Sequence, residues 1–525
     1  MVVSPHSLAS SAGVEALRAG GSAVDAAIAT GAALSVLYPH MTSVGGDAFW
    51  LIYDAEARRV RHLNGGGRAA KSASIDWFRS RGMKEIPLRG FLPATLTVPG
   101  AVASWCAAHE EYGRLPLSRD LAAAIEYARE GYPVTGRLAR WIEMCAGENA
   151  LNAHALALFV PDGVAPRAGG RLWNRGLARV LERIASDGHE GFYSGDTARS
   201  LASFSRAGGG FFGEEDFMRQ RASWGEPLRG TYRGVEIFET PPPTQGFTVL
   251  EMLNLVEPHE IGKMDPLGAE LVHLLVQAKQ IAYHDRDRLL ADPEFQPVPV
   301  ERLISKPYAD KRRRLIRSDR ALPWDLVPSY GTLAGDTVFV GAVDSEGNAA
   351  ALIQSLYFTF GSGVVAGDTG VVLQNRSAYF SLDPLHPNRL QPGKRPMHTL
   401  IASIALKDGR LSQILGCMGA DGQPQIHLQS YVNLVDFGLD IQQALEMPRW
   451  LSGRFNIGDP RDLLNIEGRF PEATVKELER RGHMANRWPD FCELAGHAHG
   501  IAIDPVSGMR AGGADPRSDG AAIGY

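Results

Sequence analysis

The chain has 525 residues, of which 44% are hydrophobic and 22% charged, and its formal net charge is -5. This is ordinary globular composition, and the mild acidic balance argues against nucleic acid or an anionic membrane surface as a partner. The four scattered cysteines, Cys106, Cys145, Cys417 and Cys492, form no CxxC pair, so neither a zinc ribbon nor a dithiol redox site is supported, and four free thiols are expected.

Helix signals open the chain. Leu8, Ala12 and Ala16 share one face, and Gly20-Gly21 stops that helix. Ser22-Ala-Val-Asp25 matches a capping box before the apolar run that ends at Pro39. Its most apolar part, residues 26–38, is about 13 residues long, too short to cross a bilayer. The N-terminal MVVSPHSLAS lacks the pattern of a secretory signal, so a soluble cytoplasmic protein is expected. Residues 48–53 read as a strand. Residues 100–290 read as mostly helical, closing with one long helix over 267–291. After about residue 320 short strands dominate, at 338–343, 349–356, 370–373 and 400–406. Helices return over 425–435 and 473–481. Strands with helices on their faces predict a layered α+β architecture.

The strand at 338–343 begins with Gly335-Asp336-Thr337, a poor start for a strand. The next segment, Asp344-Ser345-Glu346-Gly347-Asn348, is a plausible hairpin loop. A symmetric register across that loop sets Thr337 opposite Ser355, with Cβ atoms about 4.5–5.5 Å apart. A one-residue bulge would break this register. Geometry alone makes the pair an ordinary cross-strand contact more often than a catalytic one.

More blocks point further. "GGSAVDAAIATGAALSVLYPHMTSVGGDAF", "TVPGAVASW", "PPPTQGFTVLEMLN", "AYHDRDRLLADPEF", "DTVFVGAVDSEGNAAALIQSLYFTFGSGVVAGDTGVVLQN", "GKRPMHTL", "GCMGADGQPQ" and "DPRSDGAAIGY" run through nearly the whole chain. In this order they resemble the γ-glutamyltranspeptidase family of N-terminal nucleophile hydrolases. The resemblance implies a four-layer αββα sandwich, formed as one domain over residues 1–525. It implies a precursor that cuts itself between Asp336 and Thr337, giving a large subunit 1–336 and a small subunit 337–525. A dimer of such heterodimers is one arrangement these pieces allow. Thr337 matches the nucleophile, and its freed α-amino group would act as the base near neutral pH. Ser355 matches a second hydroxyl that orients Thr337, with Thr359 in support. Gly419-Ala420 match the glycine pair whose N–H groups form an oxyanion hole. Ala420 keeps the N–H but loses the backbone freedom of glycine.

The departures fall on substrate recognition. The family's carboxylate-binding arginine falls near Gly65, with Arg68 three residues on. Its ammonium-binding acidic residue is replaced by Tyr379, with Arg376 nearby, and its paired serines become His398-Thr399. Together with Tyr357, these are the candidate substrate-binding residues. Losing an acidic group and keeping Arg68, Arg376 and His398 suits a small amide that carries a carboxylate but no ammonium. The resemblance thus leads toward an oxamate amidohydrolase-like or cephalosporin-acylase-like hydrolase. γ-Glutamyl transfer or glutathione hydrolysis is the alternative, and an unprocessed, inert binding relative is a third. No cofactor or metal is expected. His284-Asp285-Arg286-Asp287 reads as salt-bridged structure, His497 and His499 have no evident third ligand, and Asp515-Pro-Arg517 reads as an ion pair or turn.

Overall fold

The computed structural model describes residues 1–89, 92–323, 335–455 and 459–525. Its centre is the predicted hairpin. Strands Asp336–Val343 and Ala349–Tyr357 are joined by the expected loop, Asp344 to Asn348. The loop closes on its own aspartate: Asp344 Oδ1 accepts the N–H groups of Glu346 and Asn348, each at 3.0 Å.

This hairpin lies in the middle of a seven-stranded sheet. Asp336–Val343 pairs with Val2–Ser4, and Ala349–Tyr357 pairs with Asp47–Asp54. Residues on both sides of the Asp336–Thr337 bond therefore build one sheet. A six-stranded antiparallel sheet packs against it, running in order Arg510–Ala514, Ala498–Ile503, Arg410–Cys417, Ala402–Lys407, Val235–Glu239 and Leu228–Tyr232. The strand period of two sorts the hairpin's side chains. Val338, Val340, Ala350 and Leu352 face the helices, in a core with Ala23–Leu37 and Ala101–Tyr112. Phe339, Val343, Ala351 and Ile353 face the second sheet, in a core with Ile404, Ile414 and Ile501. A third core joins that sheet to Phe247–Val256, Ala269–Leu289 and Gln423–Tyr431. Helix, sheet, sheet, helix is the four-layer α+β sandwich that was expected.

The predicted elements recur with small shifts. The first helix is Ser7–Arg18, and the Ser22–Asp25 capping box opens Ala23–Leu37. The long helix is Ala269–Leu289. The expected helix over 425–435 starts earlier, at Gln423, and finishes as a π-turn over Val432–Asp436. Residues 100–290 are mostly helical, as read, but Leu228–Tyr232 and Val235–Glu239 form the edge of the second sheet. Arg229, Gly230 and Glu236 dilute the apolar signal there, as edge strands commonly do.

Asp515-Pro-Arg517 is an ion pair, as read, within a larger buried cluster. Arg517 binds Asp515 at 2.9 Å and Glu467 at 2.6 Å, and Arg449 binds Asp515 at 2.9 Å. Burial alone would raise the Asp515 carboxyl, but Arg449 and Arg517 override it and hold it well below the usual range. The four cysteines are free thiols. Among the described residues no helix is long and apolar enough to cross a membrane.

Candidate active site

Thr337 has the parity of Phe339, and Ser355 that of Ile353, so both hydroxyls point between the sheets. The symmetric register holds from Val343↔Ala349 inward to Val338↔Gln354. It then slips, and Asp336 faces Tyr357. Ser355 and Leu356 thus oppose Thr337 alone, a bulge at the end of the hairpin. The hydroxyls nevertheless meet, with Thr337 Oγ1 donating to Ser355 Oγ at 3.2 Å. Tyr357 absorbs the slip in the left-handed region, at φ 83°.

Ser355 Oγ is the hub. It donates to the Asp336 carbonyl at 2.6 Å, and it accepts from the Tyr357 N–H at 2.7 Å and from Arg376 Nη2 at 3.1 Å. Thr337 is 1% exposed and Ser355 fully buried, so the uncut chain closes over its own hydroxyl pair. Gly335 explains the odd start of the strand. A Cβ there would lie 2.6 Å from the Tyr357 carbonyl and 2.5 Å from the Ala420 Cβ, so no side chain fits. Asp336 points to the opposite face, towards Thr359, and burial pushes its carboxyl up to about 7 against that hydrogen bond.

The second sheet supplies the facing wall. Strand Arg410–Cys417 runs straight into Gly419-Ala420-Asp421, and Gln423 reaches Thr337 Oγ1 at 3.3 Å. Gly419 has φ 136° and Ala420 has φ 44°. The turn therefore keeps a left-handed conformation at Ala420 despite its Cβ, which costs about 1–2 kcal/mol. Glycine loses about 0.5–1 kcal/mol more backbone entropy on folding. Ala420→Gly should thus be neutral or stabilising by up to about 1 kcal/mol, and a melting scan showing a fall of several degrees would contradict the strain.

Arg376 lies beside the hydroxyl pair, fully buried. It donates to Thr399 Oγ1 at 2.9 Å and to Ser355 Oγ, and its guanidinium lies 4.7 Å from the Tyr357 ring centroid and 5.7 Å from that of Tyr379. Its Nε has no partner, and no carboxylate of the described residues forms a direct ion pair with it, although Asp47 and Asp421 act on its charge from further away. Burial accordingly lowers its pKa.

Two other expected carboxylate partners are placed differently. Arg68 Nη2 donates to both oxygens of Glu294, at 2.7 and 2.9 Å, and Arg68 reaches no residue of the hydroxyl pair. Its guanidinium follows the nearest anion, which Arg395 shares. His398 Nε2 lies 3.1 Å from Asp47 Oδ2, and burial drives the imidazole pKa well below its usual value. Its buried imidazole is thus held neutral beside Asp47 rather than as a cation. Asp47, pushed up to about 6 by burial, also accepts from Gly67, Gly100 and Gln374.

Several participants escaped the sequence reading. Tyr379 donates to Asp421 Oδ2 at 2.6 Å, while Arg286 pairs with the other oxygen of Asp421 and with Asp287. Gln245 ties the Thr399 and Ala420 carbonyls together at 2.9 and 3.0 Å and accepts from Arg286 at 2.7 Å. The salt bridging read for His284 to Asp287 is present, but Arg286 also joins the network beside the hydroxyl pair, through Asp421 and Gln245. Gln245, Arg286, Asp421 and Gln423 all lie inside the quoted blocks, which was the one available signal. His497 and His499 lie 5.6 Å apart, ring to ring, without a third ligand group among the described residues.

The four-layer α+β sandwich places the chain among the N-terminal nucleophile hydrolases. The Gamma-glutamyltranspeptidase family model matches residues 9–525, and the chain belongs to that family, as an amidohydrolase or γ-glutamyltransferase-like enzyme. It is 41% identical to the glutathione hydrolase-like YwrD proenzyme of Bacillus subtilis, across 100% of this chain and 98% of that one. It is 39% identical to the oxamate amidohydrolase proenzyme of Klebsiella pneumoniae, over the same shares. The crystal structure of cephalosporin acylase from Bacillus halodurans superposes with a TM-score of 0.91 at 38% identity, covering 100% of this chain and 96% of that one.

Proposed function

We propose that this chain is a self-processing N-terminal threonine amidohydrolase that hydrolyses a small, carboxylate-bearing amide of the oxamate type. The observation that carries the substrate class is Arg376. A buried guanidinium with no carboxylate partner is costly to keep, and it stands one hydrogen bond from the Ser355 hub. A substrate carboxylate would supply the missing charge. A γ-glutamyl substrate also needs an anion for its α-ammonium group. Asp421 is the carboxylate of this wall, and Tyr379 and Arg286 already occupy its two oxygens.

The hydrogen bonds in the uncut chain support self-processing. Thr337 Oγ1 donates to Ser355 Oγ, which donates to the Asp336 carbonyl. As Thr337 Oγ1 attacks the Asp336 carbonyl carbon, its proton passes to Ser355 Oγ, and the Ser355 proton passes to the carbonyl oxygen. The C–N bond then breaks, the Thr337 nitrogen takes a proton, and the resulting ester is hydrolysed by water. The new α-amino group becomes the base for later turnovers. In those turnovers Thr337 Oγ1 attacks the substrate amide, ammonia leaves, and water releases the acyl group. The Gly419 and Ala420 N–H groups would hold the oxyanion. Ser355→Ala removes the carbonyl donor and should slow cleavage about 10²–10³-fold, measured as intact mass against time. Cleavage at the wild-type rate would take Ser355 out of the mechanism.

The relatives named proenzymes, among them the oxamate amidohydrolase, support this reading. γ-Glutamyl transfer or glutathione hydrolysis is the second reading, supported by the 31% identical glutathione hydrolase proenzyme of Escherichia coli. The test uses protein shown to be cleaved, incubated side by side with oxamate and with a γ-glutamyl anilide. Ammonia from oxamate is expected. Amine release from the anilide alone would reverse the assignment.

A further inference from the structure

Far from the hydroxyl pair, under the loop end of the hairpin, three chain segments bring an aspartate pair and a histidine together. Asp25 sits in the first turn of helix Ala23–Leu37, His109 near the end of helix Ala101–Tyr112, and Asp120 at the end of the short helix Leu117–Asp120. One oxygen or nitrogen from each lies within 4.8 Å of the others. His109 Nε2 is 3.8 Å from Asp120 Oδ2 and 4.0 Å from Asp25 Oδ1.

The two carboxylates differ in what they already hold. Asp25 is bound by backbone: its Oδ2 accepts from Ser22 N at 2.6 Å and Arg114 N at 2.9 Å, and its Oδ1 makes longer contacts with Arg114 N and Leu115 N, at 3.2 and 3.4 Å. Asp120 is 1% exposed, and neither of its oxygens accepts from an N–H group or a hydroxyl among the described residues, so its one polar neighbour besides the imidazole is the Asp25 carboxyl. Asp120 points at the imidazole and at the less occupied oxygen of Asp25. A buried carboxyl next to a second one, with no guanidinium or ammonium paired to either, needs a shared proton or a cation between them; burial and the neighbouring Asp25 raise the Asp120 carboxyl to about 9. Leu115 O, 2.7 Å from His109 Nε2, brings a carbonyl oxygen to the same place.

We propose that Asp25, His109 and Asp120 form a structural site for a first-row divalent cation of the Zn²⁺ or Mn²⁺ type, with the Leu115 carbonyl as fourth ligand. One imidazole with oxygen donors and no thiolate suits these ions, whereas Ca²⁺ wants six to eight oxygens and Mg²⁺ a near-ideal octahedron. Metal–ligand bonds of about 2.0–2.2 Å require the three side-chain atoms to close in by about 1 Å. The His109 side chain, 23% exposed, is the way in. Binding requires the His109 tautomer with its hydrogen on Nδ1, so the bond from Nε2 to Leu115 O gives way to two bonds to the ion.

The ion would clip two long helices and the Gly113–Pro116 connection together. That clip bears on the hairpin, because Ala23 N donates to Asp344 Oδ2 at 3.2 Å and Arg114 pairs with Glu346. Its role is therefore to brace the hairpin's loop end. No chemistry at Thr337 is assigned to it.

The test uses the untagged full-length protein, stripped with a chelating resin. Zn²⁺, and Mn²⁺ in parallel, are added by equilibrium dialysis and the bound metal is counted by mass spectrometry. The wild type should hold one equivalent more than Asp120→Asn or His109→Gln. Zn²⁺ should also raise its melting temperature by several degrees, with no shift in either variant. Equal metal content in wild type and both variants would overturn the proposal. So would a folded wild type that binds no metal while Asp120→Asn melts higher, which would mean that the two carboxyls share a proton instead.

Discussion

Thr337→Ala protein should remain one uncut chain and release no ammonia from any amide. Removing the nucleophile of a comparable acyl-transfer site costs on the order of 10⁶ in kcat, which would read here as loss to background. The variant should still fold. Thr337 makes one hydrogen bond to Ser355 and receives one from Gln423, at 3.2 and 3.3 Å. A neutral hydrogen bond contributes about 0.5–1.5 kcal/mol. Ser355 keeps Asp336, Tyr357 and Arg376 as partners. The melting temperature should therefore stay within a few degrees of the wild type, which separates lost chemistry from lost structure. Thr337→Ser keeps the hydroxyl and should still cut, so the pair of variants isolates the oxygen from the methyl group. A Thr337→Ala chain that appears as two pieces divided at residue 336 would end the self-processing mechanism.

The hairpin was legible because its causes are local. A turn-rich loop, strands with alternating faces and a period of two are enough to bring Thr337 near Ser355. The bulge at Ser355 and Leu356 was not legible, because nothing in that stretch marks where the ladder slips. It turns out to matter, since it turns the Tyr357 N–H onto Ser355 Oγ. The sandwich was legible through the family blocks, while the strand Val2–Ser4 was too short to show a period. Contacts between distant residues were the least legible. Arg286 and Asp421 are 135 positions apart, and His398 and Asp47 are 351 apart. Arg68, Arg376 and His398 looked equivalent as carboxylate partners in the sequence. What separates them is the contact that each makes in the fold: Glu294 for Arg68, Asp47 for His398, and for Arg376 no direct ion pair among the described residues, with Asp47 and Asp421 only at longer range.

That difference predicts opposite effects on stability and on activity at one position. Arg376→Met replaces a buried charge by an apolar chain of similar length. Exchanging buried charges for well-packed apolar groups is often neutral or stabilising, by about 1–4 kcal/mol in favourable cases, and here the charge has no ion-pair partner to lose. The rings of Tyr357 and Tyr379 offer the new side chain an apolar seat. The melting temperature should hold or rise. Activity should move the other way. Breaking a buried, hydrogen-bonded charge pair costs about 2–5 kcal/mol, which converts to roughly 30- to 5000-fold in kcat/KM for an anionic amide. A neutral amide of the same size never forms that pair, so its kcat/KM should change far less, and the ratio between the two substrates measures the clamp. Self-cleavage should continue, because Ser355 keeps its bonds to Asp336, Thr337 and the Tyr357 N–H without Arg376. Arg376→Lys should fall between, retaining the charge but losing the planar two-pronged grip. If Arg376→Met turns over the anionic amide as well as the wild type does, the carboxylate is held elsewhere. If it loses anionic and neutral substrates equally, Arg376 acts by positioning Ser355, and the substrate class has to be argued again from a different residue.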